Sequence, residues 1–442
     1  MVSAMAEHLS EQALNRGRLE VEVAWLTYLA DSGVIPELRS LTDAEQELLR
    51  ALVADFGSDE VTELAVIEHR TGHDVKAVEY YIKQALTGTS LADVVEFVHF
   101  GCTSEDINNL AYGRMLQRAI TEVWLPTALG LVGDLRDLAQ AQREQPMLSR
   151  THGQPATPTT VGKEIAVFVH RLDRQLIRIQ DQEYLGKFNG ATGTYGAQHI
   201  AAPDVDWIQM SRGFVQSLGL TWNPLTTQIE SHDYMCELFA DVARFNGILN
   251  NLNTDMWSYI SLGLFKQKAT ADAVGSSTMP HKINPIRFEN SEANLEVSNS
   301  LLHVLQTSLI TSRMQRDLSD SSMQRNIGPA LGYGLIGIMN TRAGLRSVDV
   351  DADVLAAELG DAWEVLGEAV QSVMRRAGLD QPYERLKDLT RGQRTSRESL
   401  RKFILAQGLP AEDEKRLLEL TPAGYTGLAS QLVDVIDVPA PD

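Results

Sequence analysis

Residues 275 to 290 read GSSTMPHKINPIRFEN, and the rest of the chain is best understood from them. Pro280 and Pro285 each remove a backbone donor and restrict the residue before them, so no continuous helix can run through the stretch. A loop is expected. Loops of this length inside a helical chain are usually functional or disordered. This one gathers hydroxyls at Ser276 and Ser277, a cation at Lys282 and a carboxylate at Glu289, which disorder does not require. It is taken as the reactive centre.

On both sides of it the apolar residues step by threes and fours, the period of an amphipathic helix. Val161, Ile165, Phe168, Val169, Leu172, Leu176 and Ile179 form one such series. Met235, Leu238, Phe239, Val242, Phe245, Leu249, Leu252, Met256 and Ile260 form a longer one. Further long helices are expected from near Ile286 and after Asn326, and helices of this length pack side by side as a bundle. Shorter amphipathic segments cover residues 11 to 30 and 43 to 56, and a turn at Arg70 to Gly72 precedes a helix running through Tyr81. Thr103 and Asp106 have the spacing of a capping box opening the next helix. Pro126 should interrupt that helix. The stretch from Lys187 to Ala202 is rich in glycine and poor in helix formers. Beyond about residue 345 the segments shorten: Ala352 to Arg376, Tyr383 to Leu389, Arg397 to Leu405 and Pro422 to Ile436 suggest a small helical C-terminal domain, residues 346 to 442.

Composition narrows the possible functions. The 442 residues are 43% hydrophobic and 22% charged, ordinary values for a globular chain with a large core. No apolar run reaches the roughly 18 residues of a membrane span, and the N-terminus lacks the apolar core of a secretion signal. Two cysteines, Cys102 and Cys236, exclude a disulfide framework and point to the reducing cytoplasm. The formal net charge of -20 argues against nucleic acid and anionic membrane as partners. An anionic substrate must therefore be held by a few locally placed cations. The chemistry is expected to concentrate in four loops between the long helices: His73-Asp74, Thr103-Ser104, Ser149 to Pro158, and the opening stretch.

With these residues in view, the chain resembles the adenylosuccinate lyases, a branch of the fumarase/aspartase/argininosuccinate lyase superfamily. The superfamily signature GSSxMPxKxNP is matched without exception from Gly275 to Pro285. Four further stretches resemble the bacterial branch: HDVKAVEY from His73, CTSEDINN from Cys102, RTHGQPATP from Arg150 and QRDLSDSSMQRN from Gln315. The resemblance implies an all-α, three-domain fold: an N-terminal helical domain (1 to 101), a central long-helix bundle carrying the signature loop (102 to 345) and the C-terminal domain (346 to 442). It implies a homotetramer with a twenty-helix core and active sites shared between subunits. The implied reaction is β-elimination of fumarate from adenylosuccinate, giving AMP, and from the succinylated aminoimidazole carboxamide ribotide of purine synthesis. No cofactor and no metal are implied.

The resemblance also assigns roles. Ser276 matches the general base, which needs its oxyanion stabilised because a free serine hydroxyl is a poor base. His152 matches the general acid for the leaving nitrogen, suited by an ordinary pKa near 6.5. His73 would assist near the substrate phosphate or the acid; otherwise it simply starts a helix beside Asp74. Lys282 and Asn284 would stabilise the carboxylate carbanion, with Ser277 and Asn290 among the substrate contacts. Glu289 would orient His152 or Lys282, or else serve as a first-turn acid favoured by the helix dipole. Thr103 and Ser104 would grip a succinyl carboxylate, although Glu105 and Asp106 oppose an anion and simple capping is the alternative. Gln228, Arg316, Ser321 and Arg325 would hold the nucleotide and its phosphate, arginine's planar fork matching phosphate geometry.

In one respect the chain departs from the branch, whose members usually open with a segment like SPxDGRY. Here the opening VSAMAEHLS is similar instead to the residues that come directly after such a segment. The chain is expected to begin late, through a misassigned start codon or trimming. If the loss is real, weaker phosphate binding, or compensation by Arg16 or Arg18, is expected. A sister lyase acting on argininosuccinate, aspartate or a cycloisomerase substrate is the nearest alternative, and a catalytically silent structural homologue another. The spacing HExxH of a metal hydrolase does not occur.

Overall fold

The computed structural model of the protein describes residues 2–268, 279, 282–390 and 395–437. Among these most of the chain is helical, as the 3.6-residue period predicts. Three two-stranded pairings interrupt it: Pro146–Thr151 with Gln154–Thr160 and Phe265–Gln267 with Val348–Val350, both antiparallel, and Leu185–Gly186 parallel to Thr221–Trp222. The long helices among the described residues are Glu11–Ser32, Leu125–Ala141, Val161–Gln180, Asp233–Ser261, Ile286–Ser308 and Ile327–Arg346. The chain divides into two compact units, one of residues 1–128, 175–247 and 293–337, the other of residues 129–174, 248–292 and 338–442.

In the first unit, the Glu11–Ser32 helix is capped by Ser10, whose hydroxyl accepts the Ala13 N–H at 3.2 Å. It stops at Gly33, whose φ of +62° costs glycine little. Asn15, Arg18, Glu22, Trp25 and Leu29 step along its buried side. Trp25 anchors that side, its ring centroid 4.3 Å from Phe188 and 4.9 Å from Phe214, while its indole N–H donates to the Phe100 carbonyl at 2.9 Å. The expected interruption at Pro126 takes a specific form. The Ser104–Arg118 helix widens into a π-helical segment, Ala119–Trp124, before Leu125–Ala141 resumes the α form. Proline cannot donate to the residue four back and its ring crowds that carbonyl. Widening the preceding turn relieves both problems without breaking the helix.

One ion pair organises this unit. Asp106 and Lys187 have no solvent exposure and stand 2.8 Å apart. The Asp106 carboxylate also accepts the backbone N–H groups of Thr103 at 2.9 Å, Asn189 at 2.9 Å and Gly190 at 3.1 Å. The Lys187 ammonium donates to the Gly190 carbonyl at 3.1 Å, and the Asn109 amide brackets the Lys187 backbone, accepting its N–H at 2.8 Å and donating to its carbonyl at 3.0 Å. The glycine-rich stretch is thus tied to the helix that Asp106 caps.

In the second unit three long helices meet through a closed ring of side-chain hydrogen bonds. Asn253 donates to Ser291 at 2.9 Å, the Ser291 and Thr341 hydroxyls lie 2.8 Å apart, and Thr341 donates to Asn253 at 2.8 Å. All three residues are fully buried. Nearby, Gly344 lets the Phe288 ring approach so closely that a Cβ would meet it at 2.9 Å. The C-terminal helices form their own core around Leu359, Leu366, Met374, Leu400 and Ile404, joined by Leu148 from the hairpin. The expected Ala352 to Arg376 helix is two, Ala352–Gly360 and Gly367–Arg376, joined by a 3₁₀ turn at Trp363–Leu366. A further helix, Ala411–Glu419, begins directly after Pro410 with three acids in its first turn, a start signal that periodicity alone overlooks.

Replacing Lys187 by methionine should cost about 3–5 kcal/mol, because a buried carboxylate loses its charge partner. The urea unfolding midpoint should fall accordingly, and Asp106→Asn in the same chain should recover part of the loss. A midpoint unchanged by Lys187→Met would contradict this account.

Candidate active site

The residues singled out in the sequence fall into two sets, one in each unit, while Ser276 and Ser277 lie outside the described residues.

The first set is built at the starts of two helices. Gly72, in the left-handed region at φ +66°, ends the Ser58–Thr71 helix, and His73 turns extended and caps Asp74–Leu86. Its Nδ1 accepts the Lys76 N–H at 3.2 Å, so in the neutral ring the proton sits on Nε2, 3.3 Å from the Ser104 hydroxyl. Ser104 is the first residue of its helix and Thr103 the cap, so helix-terminal N–H groups flank both hydroxyls. Asp74 receives the Arg18 guanidinium at 2.5 Å and the Val75 N–H at 2.9 Å. Burial works to raise its pKa, but the Arg18 charge and these hydrogen bonds outweigh it and hold the carboxyl below its usual range.

The two arginines of QRDLSDSSMQRN lie in the same unit. Arg325 donates to both the carbonyl and the hydroxyl of Ser321 at 2.9 Å, and its other nitrogens stand 3.5 Å from Glu11 and 3.9 Å from Asp74. Arg316 pairs with Glu105 at 2.9 Å, and its buried Nε has no hydrogen-bond partner among the described residues. Glu105 in turn accepts from the Asn108 amide at 2.8 Å. Burial pushes the Glu105 pKa up, only partly offset by Arg316 and Asn108. The buried Tyr112 hydroxyl also lacks a partner among the described residues, and burial pushes its pKa up to about 12. Gln228 is half-buried in the irregular segment before the Asp233–Ser261 helix.

In the second unit, the segment expected as a loop, Ser149 to Pro158, is a β-hairpin. His152 and Gly153 are its two-residue turn, with φ of +53° and +73°. Two consecutive positive φ values match the twist of a tight hairpin, and His-Gly supplies them less conspicuously than Asn-Gly would. The His152 ring is exposed and makes no side-chain hydrogen bond among the described residues. Behind the hairpin lies a hollow of about 660 Å³, lined among others by Arg150, Gly153, Glu164, Asp255 and Tyr259. Burial, then the Glu164 charge, pushes the Asp255 pKa up. Lys282 is exposed and Asn284 half-buried. Glu289 stands in the first turn of Ile286–Ser308, where it accepts the Trp257 indole N–H at 3.1 Å, and exposed Asn290 comes next.

Residues 1–297 match the family described as Lyase, and residues 312–426 the one described as Adenylosuccinate lyase C-terminal. The adenylosuccinate lyase of Escherichia coli (strain K12) is 50% identical over 98% of this chain and 95% of its own length. That of Haemophilus influenzae is 48% identical over the same shares. The chain belongs to the adenylosuccinate lyase family. Solved structures of more distant proteins share the fold. A fumarate lyase from Mesorhizobium sp. BNC1 superposes with a TM-score of 0.78 at 21% identity, covering 98% of this chain and 97% of its own. The 3-carboxy-cis,cis-muconate lactonizing enzyme of Pseudomonas putida gives 0.77 at 22%, covering 98% and 96%. The all-α fumarase-like fold expected from the signature is therefore the fold of this adenylosuccinate lyase family member.

Several residues of the site have no motif to announce them. Arg18, Glu22 and Trp257 are of this kind, and together with Asn108, which lies inside the CTSEDINN stretch, they hold the named residues or their loops. The available signal is a pair of charges, Arg18 and Glu22, one turn apart on the helix side that also carries Trp25 and Leu29. Glu22 is fully buried and lies 2.5 Å from His99, which adopts φ +63° just before the Thr103-Ser104 loop.

Burial works to lower the His99 pKa, but the Glu22 hydrogen bond and charge overcome it and the net shift is upward. The stabilisation is therefore fully present below the ordinary histidine pKa of about 6.5 and is lost as pH rises through the raised folded value. Thermal unfolding of wild type and His99→Gln should show a Tm gap that is widest at acidic pH and narrows with alkali. A gap independent of pH would show that the charge of His99 contributes nothing.

Proposed function

We propose that this lyase releases fumarate by β-elimination from adenylosuccinate, giving AMP, and from the succinylated aminoimidazole carboxamide ribotide. The observation that carries the reading is the array in the first unit. On a chain of net charge -20, Arg316 and Arg325 are gathered with the Ser321, Thr103 and Ser104 hydroxyls, and Arg316 Nε is buried without a partner among the described residues. Such an array suits a ligand with a phosphate at one end and carboxylates at the other.

In this reading Ser276 removes a proton from the carbon beside a succinyl carboxylate. The electron pair forms the new carbon–carbon double bond as the carbon–nitrogen bond breaks, and His152 protonates the departing nitrogen. Lys282 and Asn284 stabilise charge that exists only after proton removal, which lowers the barrier rather than merely tightening binding. Thr103 and Ser104 hold a carboxylate; His73, Asp74, Gln228, Ser277, Asn290, Ser321 and the two arginines hold the nucleotide; Glu289 orients the proton-transfer groups. The candidate groups divide between two units, and the exposed His152, with no side-chain hydrogen bond among the described residues, agrees with sites shared between the subunits of a homotetramer. The enzyme works in the cytoplasm, in keeping with its two free cysteines and, among the described residues, no helix long and apolar enough to cross a membrane.

Absorbance-monitored conversion of adenylosuccinate should yield AMP and fumarate in equal amounts. Ser276→Ala and His152→Ala should each lower kcat by about 10²- to 10⁴-fold while leaving the oligomer, measured by light scattering, intact. Turnover of argininosuccinate with none of adenylosuccinate would overturn the assignment.

A further inference from the structure

Arg18 is only 1% exposed, and every nitrogen of its guanidinium is committed. Nε donates to Asn108 at 2.8 Å, Nη1 to Asn15 at 3.0 Å and Nη2 to Asp74 at 2.5 Å. Three of its five N–H groups are thus used inside the protein, and Arg18 itself offers almost no surface to a phosphate. It is instead a junction between the helices Glu11–Ser32, Asp74–Leu86 and Ser104–Arg118.

Two lines of contact leave that junction, and each ends on an arginine of the candidate site. One runs from Arg18 through Asn108 to Glu105 at 2.8 Å and on to Arg316 at 2.9 Å. The other runs through Asp74, whose carboxylate lies 3.9 Å from Arg325 and 3.6 Å from His73. Along this second line the spacing is uneven. Asp74 sits 2.5 Å from Arg18 but 3.9 Å from Arg325, so its charge is spent on the buried partner. Arg325 is left to Ser321, to the exposed Glu11 at 3.5 Å and to whatever ligand arrives. On the first line, Asn108 is held by Arg18 through its oxygen, which directs its amide nitrogen to Glu105 and sets the carboxylate that Arg316 rests against.

We propose that Arg18 is a positioning residue for phosphate recognition: it neutralises Asp74 and orients Asn108, and so keeps Arg325 available and Arg316 in place for the substrate's phosphate dianion. The proposal rests on the reading of Arg316 and Arg325 as the phosphate-holding pair. Without the Arg18 guanidinium, Asp74 becomes an uncompensated carboxylate beside Arg325 and captures it.

The test compares adenylosuccinate with its dephosphorylated nucleoside, succinyladenosine, as substrates of Arg18→Met and Arg18→Lys. For Arg18→Met, kcat/KM toward adenylosuccinate should fall about 10- to 100-fold, mostly through KM. The nucleoside, which lacks the phosphate, should change by less than about threefold. Lysine, which keeps the charge but not the fork, should fall between wild type and methionine. Adding Asp74→Asn to Arg18→Met should recover part of the lost KM, since the carboxylate that captures Arg325 is gone. If Arg18→Met does not fold, Arg18→Lys carries the same comparison. Parallel losses on both substrates, or no recovery in the double variant, would overturn the proposal and leave Arg18 a purely structural tie. Arg316→Ala and Arg325→Ala report on the underlying reading separately. If they keep the wild-type preference for the phosphorylated substrate, the phosphate assignment itself is wrong, whatever Arg18 does.

Discussion

The buried ion pair between Asp106 and Lys187 is the constraint on which the geometry of the first unit rests. Two charges without solvent contact carry a large desolvation cost, and only excellent geometry with additional hydrogen bonds offsets it. Here three backbone N–H groups converge on the carboxylate, and Asn109 brackets the lysine's own peptide groups. A pair satisfied this completely admits one arrangement of its surroundings. Asp106 is the third residue of its helix, so fixing it fixes Ser104 and Glu105 two and one residues before it. The placement of the Thr103-Ser104 hydroxyls and of the carboxylate facing Arg316 is a consequence of that anchor.

The long helices are held by the same kind of device as well as by apolar packing. The Asn253, Ser291 and Thr341 ring satisfies every partner it uses within the core. In the other unit Asn246 donates to Ser298 at 3.1 Å, and Ser298 to the Ala330 carbonyl at 2.7 Å. Along the helices, Asn246 and Asn253, and likewise Ser291 and Ser298, are seven residues apart. A leucine in a helix seam tolerates sliding by a turn, whereas a buried amide or hydroxyl that loses its partner costs about 1–3 kcal/mol. These polar contacts therefore specify register where hydrophobic burial supplies most of the stability.

The candidate site meets an electrostatic problem set by an acidic chain. Arg316, half-buried, is paired with Glu105 and the buried Arg18 with Asp74, so neither guanidinium stands uncompensated. The pairing differs in closeness from one cation to the next. Arg325, 3.5 Å or more from its nearest carboxylates, is the loosest of the three and so the most open to an anionic ligand.

The sequence by itself determined the helical class, since a 3.6-residue period sustained over twenty or more residues admits no other regular structure. It also determined the helix end at Gly72 and a disturbance of the helix near Pro126, and, through the signature and four further motifs, the family. The gaps in that reading arise from the short range of those signals. The hairpin at His152-Gly153 depends on two positive φ values that no period reveals. The start of the Ala411–Glu419 helix hides behind a proline, and Glu289 finds Trp257 thirty-two residues away in sequence. Only the tertiary structure decided the partners of Arg18, Asp106 and Lys187. A charge becomes worth burying only when a complementary one is brought within hydrogen-bonding distance, and that depends on how distant helices pack rather than on any neighbouring residue.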